Sequence, residues 1–463
     1  MKHIRNIILL FVLIAVSSTL LAVDVRTMTF APLHKIILPK VDKMVLPDGM
    51  TIYFCEDHAL PVINVRGMVR TGSVYDPADK IGLGEMTGDL IESGGAGSYS
   101  AKDLDQLLDE NGIRFNSYIG QRSGGFSMSF LPEDTQLSLN VLKSAIMNPR
   151  FEEERLQIMK QGLNADIARR NDQMEDITFR EFPKLVYGKD NPYARNEEYQ
   201  TIANVTRDDI VKFHHDFYQP QNISISLIGD FKTADMKKTI TSLFTDWKKG
   251  NTAVPPLPKV DITYKKSVNL VKKPDANQSW ILMGHMAEIT KDSPDYCPMV
   301  VMNNVLGGDF NSRIFQKVRT QMGLSYAPAG FYAISYDYPG LLYLMSQTKS
   351  EKTITAIRAL QQVVAEMQTV PVTDQELKFA KDYYLNTYVF HFDSKGEIVG
   401  RMMELAYYNY PMDFLQTVED GIEKVTKDDV QRVAKQYLHP NDLITLVVGN
   451  ESAFEEPLTT LGT

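Results

Sequence analysis

The sequence predicts an α+β protein of two tandem homologous domains, each a mostly antiparallel sheet with helices packed on one face. Three observations predict it: an internal repeat at constant offset, a proline-rich linker between the copies, and an irregular succession of strand and helix patterns within each copy. Residues 202–230 read IANVTRDDIVKFHHDFYQPQNISISLIGD, and residues 422–450 read IEKVTKDDVQRVAKQYLHPNDLITLVVGN. They align without a gap, pairing Val205 with Val425, Thr206 with Thr426, Asp209 with Asp429, Pro220 with Pro440 and Gly229 with Gly449. A match in length, caps, breaker and strand together points to duplication.

Each copy has the same physical content. Thr206 and Thr426 are placed as helix N-caps, and the acid three residues on (Asp209, Asp429) is placed to return the bond, as in a capping box. Apolar residues at helical spacing follow, among them Ile210, Phe213 and Phe217. Proline stops the helix, and an apolar strand ended by glycine comes next, over residues 223–228 or 443–448. Between the copies, residues 248–258 read KKGNTAVPPLP, a semi-rigid linker. The domains therefore span residues 43–247 and 260–453, joined by residues 248–259. In the first, strands near residues 44–55 and 62–70 precede helices near 82–93 and 101–111. A hairpin over 115–131 and a helix that starts at Pro132 and Glu133 and reaches Met147 follow.

A chain of 463 residues exceeds what one hydrophobic core usually organises. With 43% hydrophobic and 23% charged residues, the composition is that of an ordinary globular protein throughout. The first residues are the exception. Lys2 and Arg5 precede an unbroken apolar run over residues 7–16, then Ser17, Ser18 and Thr19, with Ala22 placed as the last residue before cleavage. The run is shorter than the roughly 20 residues that span a bilayer. Residues 1–22 thus read as a signal peptide, and the mature chain as exported to a periplasm or cell envelope, soluble or peripheral. The formal charge is −9 even with Lys2 and Arg5 counted, which disfavours nucleic acid and anionic lipid as partners. Two cysteines, Cys55 and Cys297, lie in different halves and read as unpaired thiols.

Several segments resemble the pitrilysin-type inverzincin peptidases, the group containing the mitochondrial processing peptidase. They are LPDGMTIYF, VRTGSVYDP and GLGEMTGDLIESG in residues 46–94, then LDENGIRFNSYIGQRSGGFSMSFLPED and NPRFEEERL in residues 108–156. In the second half, LGGDFNSRIFQKVRTQMGLSYAPAG resembles that family's glycine turn, helix, arginine and tyrosine. The resemblance covers essentially the whole mature chain. Active members carry H-x-x-E-H on the early helix. Two His at i and i+4 share a helix face and bind zinc, the intervening Glu activates the metal-bound water, and a Glu further on is the third ligand.

Aligned on that motif, GLGEMTGD puts Glu85 at the first His, Gly88 at the base and Asp89 at the second His, while NADIARRND puts Asp166 at the third ligand. All four positions have changed. None of the eight His (His3, His34, His58, His214, His215, His285, His391, His439) rebuilds the motif; His285 with Glu288 gives H-x-x-E, but Ile289 follows. Three carboxylates would suit Mg²⁺, Mn²⁺ or Ca²⁺ better than zinc. Without counter-ions they repel, so that one is expected to take up a proton. The sequence favours solvated acids on a decayed site and no bound cofactor, zinc being confined to a partner subunit. Arg319 closes a helix starting near Asn311, and Tyr326 opens the next strand; the resemblance implies that both face a bound peptide. A guanidinium and a phenol can each donate a hydrogen bond to a peptide carbonyl.

The first reading is a non-catalytic, peptide-binding subunit of an exported peptidase complex. Its partners are a homologous subunit bearing H-x-x-E-H and an unstructured peptide, held as an extended strand on a sheet edge. One alternative is an active metalloendopeptidase with acidic ligands, which would hold stoichiometric metal. Another is a structural scaffold, which would tolerate loss of Arg319 and Tyr326. The short apolar run predicts a mature N-terminus at about Val23, and N-terminal sequencing of the envelope fraction that finds Met1 retained overturns this.

Overall fold

Alternation of apolar side chains in short runs, broken by glycine and proline turns, folds the chain into two sheets. The computed structural model describes residues 39–462; the expected signal peptide and the start at Val23 lie outside them. In the first half come β1 (Asp42–Val45), β2 (Thr51–Glu56), β3 (Ile63–Val69), α1 (Leu83–Ser93), α2 (Ala101–Glu110), β4 (Arg114–Ile119) and β5 (Gly124–Phe130). They are followed by α3 (Thr135–Met147), α4 (Glu153–Arg169), α5 (Met174–Tyr187), α6 (Tyr199–Asn204), α7 (Arg207–Phe217), β6 (Ile223–Gly229) and α8 (Thr233–Phe244). The stretch 44–55 holds two strands, β1 and β2, because Gly49 takes φ 99° in the turn between them, a conformation that side chains resist.

The second half contains β7 (Ser267–Lys272), β8 (Gln278–Gly284), α9 (Tyr296–Asn303), π-helical turns over Asn304–Gly308 and Phe315–Gln321, β9 (Ala329–Tyr332) and β10 (Leu342–Lys349). Then come α10 (Thr353–Thr369), α11 (Asp374–Tyr388), α12 (Lys395–Tyr407), α13 (Phe414–Lys424), α14 (Lys427–Tyr437) and β11 (Ile444–Gly449).

The strand orders are β1-β2-β6-β3-β5-β4 and β7-β11-β8-β10-β9. Apart from the extra β1, the two orders are the same, and in both the single parallel pair sits at the same place, β2 with β6 and β7 with β11. The repeat read in the sequence is therefore α7–β6 and α14–β11, each ending on a strand inside its sheet. Both helices open with the expected capping box: Thr206 and Thr426 accept from the N–H of Asp209 and Asp429 at 3.2 Å, and those carboxylates accept the threonine N–H at 2.9 and 3.0 Å.

The helices expected on one face of each sheet are there, and the opposite face is closed by a helix of the other half. Along β2, Ile52 and Phe54 enter the first core, whereas Tyr53 and Cys55 point the other way and meet Val399 and Met403 of α12. Along β8, Ile281 and Met283 enter the second core, whereas Leu282 joins Leu446 of β11 in packing on Phe182 and Val186 of α5. Residues i and i+4 of each helix make the contact, as helical geometry requires. Full burial of a side chain such as Phe182 contributes about 1.5–3 kcal/mol, so the exchange ties the halves firmly. Cys55 and Cys297 are both free. Among the described residues no helix is long and apolar enough to cross a membrane.

Helix α1 lies tightly along β4 because its contact positions are glycines. A Cβ at Gly88 would stand 2.3 Å from Ile119 N and 2.6 Å from Tyr118 C, and one at Gly84 would be 3.4 Å from Ile119 Cγ2. Gly162, in α4, has open space instead. Gly88→Ala should therefore cost about 1–3 kcal/mol by overpacking, while Gly162→Ala should be neutral or stabilise by about 0.5–1 kcal/mol. Urea denaturation of the two variants checks this, and similar midpoints for both would refute the packing argument.

Candidate functional site

The start of α1 is fixed from the preceding loop. Asp76 is buried and accepts the N–H groups of Gly82 and Gly84, each at 2.9 Å, so its carboxylate occupies the positive end of the helix. Burial outweighs these bonds and pushes the carboxyl up to about 7. The segment VRTGSVYDP thus positions the helix that carries three of the four altered positions, Glu85, Gly88 and Asp89.

Glu85 and Asp89, one turn apart, share a half-buried face of α1. Burial, then the carboxylates of Glu197, Asp89 and Asp166, push Glu85 up to about 7. Asp89 is raised by burial and by Glu92. Glu92 is raised by burial, against the pull of the Ser117 N–H at 3.0 Å. These acids are thus not the freely solvated ones expected: burial is the largest cause raising Glu85, Asp89 and Glu92 alike. The expectation that one carboxyl would take up a proton falls on Glu85. Asp166, on α4, is 72% exposed and accepts from Arg169 at 3.1 Å, so it turns toward solvent.

Gly88 faces the backbone of β4, and no side chain could stand there without moving the strand. The zinc of this motif needs two histidines and a carboxylate converging on one point, with a fourth position open for water. Here two of the three acids are half-buried and pushed toward the neutral form, the third is turned out, and among the described residues no group of three His, Cys, Asp or Glu is arranged to hold a metal ion. The residues present do not fit the zinc of this motif.

Two acids of this face went unread in the sequence. Glu92 was within reach of helical spacing, since 85, 89 and 92 fall on one side of α1. Glu197 carried no signal, for it arrives from the segment before α6 and only folding brings it beside Glu85.

Arg319 lies within the π-helical turn Phe315–Gln321, and Tyr326 stands three residues ahead of β9 rather than in the strand. The guanidinium carbon is 4.3 Å from the centre of the Tyr326 ring and 4.8 Å from that of Phe315. An exposed stack of this kind contributes about 0.5–1 kcal/mol. Tyr326 is 80% exposed, and among the described residues Arg319 forms no ion pair. Both line a pocket of about 460 Å³ with Trp280, Gln347, Lys349 and Lys352. Every lining residue falls between 278 and 352. The structure thus brings Arg319 and Tyr326 together, and the acids of α1 together, but places the two groups in separate sites.

Fold and site define a class: a duplicated α+β peptidase scaffold with no histidine on the helix α1. The chain belongs to peptidase family M16. Residues 56–195 match the insulinase (peptidase family M16) domain, and residues 204–384 match the peptidase M16 inactive domain. A non-peptidase homologue, YmxG, of Helicobacter pylori is 22% identical over 406 residues, covering 86% of this chain and 92% of its own. An uncharacterised zinc protease, also YmxG, of Bacillus subtilis is 22% identical over 403 residues, with 86% and 96% covered. Among solved structures, a peptidase M16 inactive domain from Pseudomonas fluorescens superposes with a TM-score of 0.81 at 21% identity, over 90% of this chain and 100% of that one. The periplasmic protease PqqL of Escherichia coli gives 0.73 at 13% identity, over 91% of this chain and 47% of its own. At these identities the structures establish the shared fold.

The raised Glu85 has a consequence for stability. Its carboxyl titrates at about 7 in the fold against 4.5 in the open chain, so the neutral form is the stabilising one. That contribution is complete below pH about 4.5 and lost as the pH rises through about 7. Glu85→Gln, neutral at every pH, should match the unchanged protein at pH 4 and exceed it at pH 8 by about 1 kcal/mol, allowing for partial exposure. Parallel Tm-against-pH curves for the two proteins would sink this assignment.

Proposed function

We propose that this chain is a non-catalytic, peptide-binding member of family M16 that completes the site of a homologous subunit bearing H-x-x-E-H. The observation that carries the reading is the contrast between its two sites. On α1 the position of the catalytic base is filled by strand backbone and the ligand positions hold acids. In the second half Arg319 and Tyr326 stand stacked and exposed in an open pocket, free to donate to a peptide carbonyl. Such donors are useful only to a peptide presented from outside this chain's own α1. The reading places zinc in the partner, export by way of residues 1–22, and the complex in the periplasm or cell envelope. The name of the Helicobacter pylori relative and the periplasmic setting of PqqL support it. Domain limits of 43–247 and 260–453 go with it.

The test is reconstitution. Mixed with a homologous chain that keeps H-x-x-E-H, this protein should raise cleavage of an unstructured peptide well above either alone. Arg319→Ala and Tyr326→Phe should each then lower turnover, by up to the 10²–10³ that one oxyanion donor supplies, with the complex intact by size-exclusion chromatography. Arg319→Lys keeps the charge and loses the planar fork, so it should recover only part of the loss. Unchanged turnover in both Arg319→Ala and Tyr326→Phe, with association intact, reduces the chain to a scaffold. Cleavage by this chain alone, lost on chelation, returns it to the active peptidases.

A further inference from the structure

Two of the four edge strands of the sheets are closed by side chains. On β4, the outward N–H of Ser117 donates to Glu92 at 3.0 Å. On β9, Asn303 takes both backbone groups of Tyr332, accepting its N–H at 2.6 Å and donating to its C=O at 2.8 Å. A third, β1, has only four residues. The fourth, β7, has six residues, and β11 is its one strand partner among the described residues.

Beside β7 lies a groove of about 1310 Å³, walled on its far side by α5 and the segment before α6. Residues 268–273 all line it, so the edge itself forms one wall. The Lys273 N–H donates inward to Gly449 C=O at 2.9 Å. Alternation along the ladder then turns the N–H and C=O groups of Leu270 and Lys272 toward the groove. The walls carry six cations, Arg180, Lys184, Lys189, Arg195, Lys272 and Lys273. Of its three acids, Glu181 is already paired with Arg180 and Lys184 at 2.8 and 3.0 Å, and Glu198 with Arg170 at 2.7 Å, which leaves Asp190. Lys189, Arg195 and Lys273 have no carboxylate within ion-pair distance among the described residues. A positive groove on a chain of formal charge −9 is a local concentration of one sign, facing a row of unpaired backbone groups.

We propose that the open edge of β7 and the basic groove beside it bind an extended acidic peptide segment, which adds to the second sheet as a further strand. Backbone pairing to Leu270 and Lys272 supplies the register, and the lysines and arginines of the walls select carboxylates on the incoming strand. The site is independent of the pocket of Arg319 and Tyr326 and acts in the chain alone.

Fluorescence anisotropy of the full chain, without a partner subunit, tests this with a labelled eight-residue peptide of alternating valine and glutamate. Its counterpart with lysine for glutamate is the comparison. The acidic peptide should bind at least tenfold tighter than the lysine peptide, and the preference should shrink as salt is raised. Lys189→Glu with Lys272→Glu should weaken it at least tenfold, whereas Lys238→Glu, on the exposed side of α8, should leave it unchanged. Lys272→Pro, tolerated on an edge strand, should weaken binding at least threefold more than Lys272→Ala, since it also removes an outward N–H. Independently of any variant, the acidic peptide should slow amide hydrogen exchange across residues 267–273 of the unchanged protein. Equal binding of the two peptides, or indifference to the double charge reversal, overturns the proposal. Unaltered exchange over β7 with the acidic peptide bound overturns the strand addition.

Discussion

Each sheet has inner strands buried on both faces, β2 and β6 in the first and β11 in the second, and that constraint organises the rest of the molecule. A strand alternates its side chains, so a sheet with one buried face would show polar residues at every second position. Here β2 reads Ile52, Tyr53, Phe54, Cys55, and β11 is buried along its whole length. Each sheet therefore needs two layers of cover. The domain's own helices supply one, and the other is borrowed: α5 lies on the second sheet and α12 on the first. The exchange joins the halves through apolar surface rather than through the linker. It is also why α5 bounds the groove beside β7: the helix that covers the second sheet's outer face ends at its open edge.

Helix α1 is a structural member of the first half. Its glycines let it lie on β4, and Asp76 holds its first turn. Once Gly88 is committed to strand backbone, the position can no longer supply a general base, whatever happens to the ligands. On the adjacent face Glu85 and Asp89, with Glu197 close by, repel one another in a half-buried place. The outcome of that repulsion is a carboxyl at Glu85 that titrates near neutrality. Glu92 also closes the β4 edge at Ser117.

Arg319 and Tyr326 were legible because they sit in a segment with its own local logic: glycine turn, helix, arginine, glycine, tyrosine. Seven residues apart, they meet through a π-helical turn and a short loop, which keeps the contact local. Glu197 and the basic groove were not legible in that way. The groove joins residues 180–198 to residues 268–273, and no pattern within either stretch announces the other. Which sheet edge is open depends on single side chains, Glu92 and Asn303, reaching across from helices.

What the sequence determined by itself was everything that depends on short-range order: the repeat, its capping boxes, the proline breaks, the strand runs and the loss of H-x-x-E-H. Such features are set by hydrogen bonds and side-chain spacing within a few residues, so they survive in one dimension. Duplication added the strand order, since two copies of one unit fold to one topology. Only the tertiary structure decided how the halves close each other's sheets, how deeply Glu85 is buried, and which sheet edge stays unpaired. Burial, the field of neighbouring charges and access to a strand edge are sums over residues far apart in the chain, and they come into existence only when packing brings those residues together.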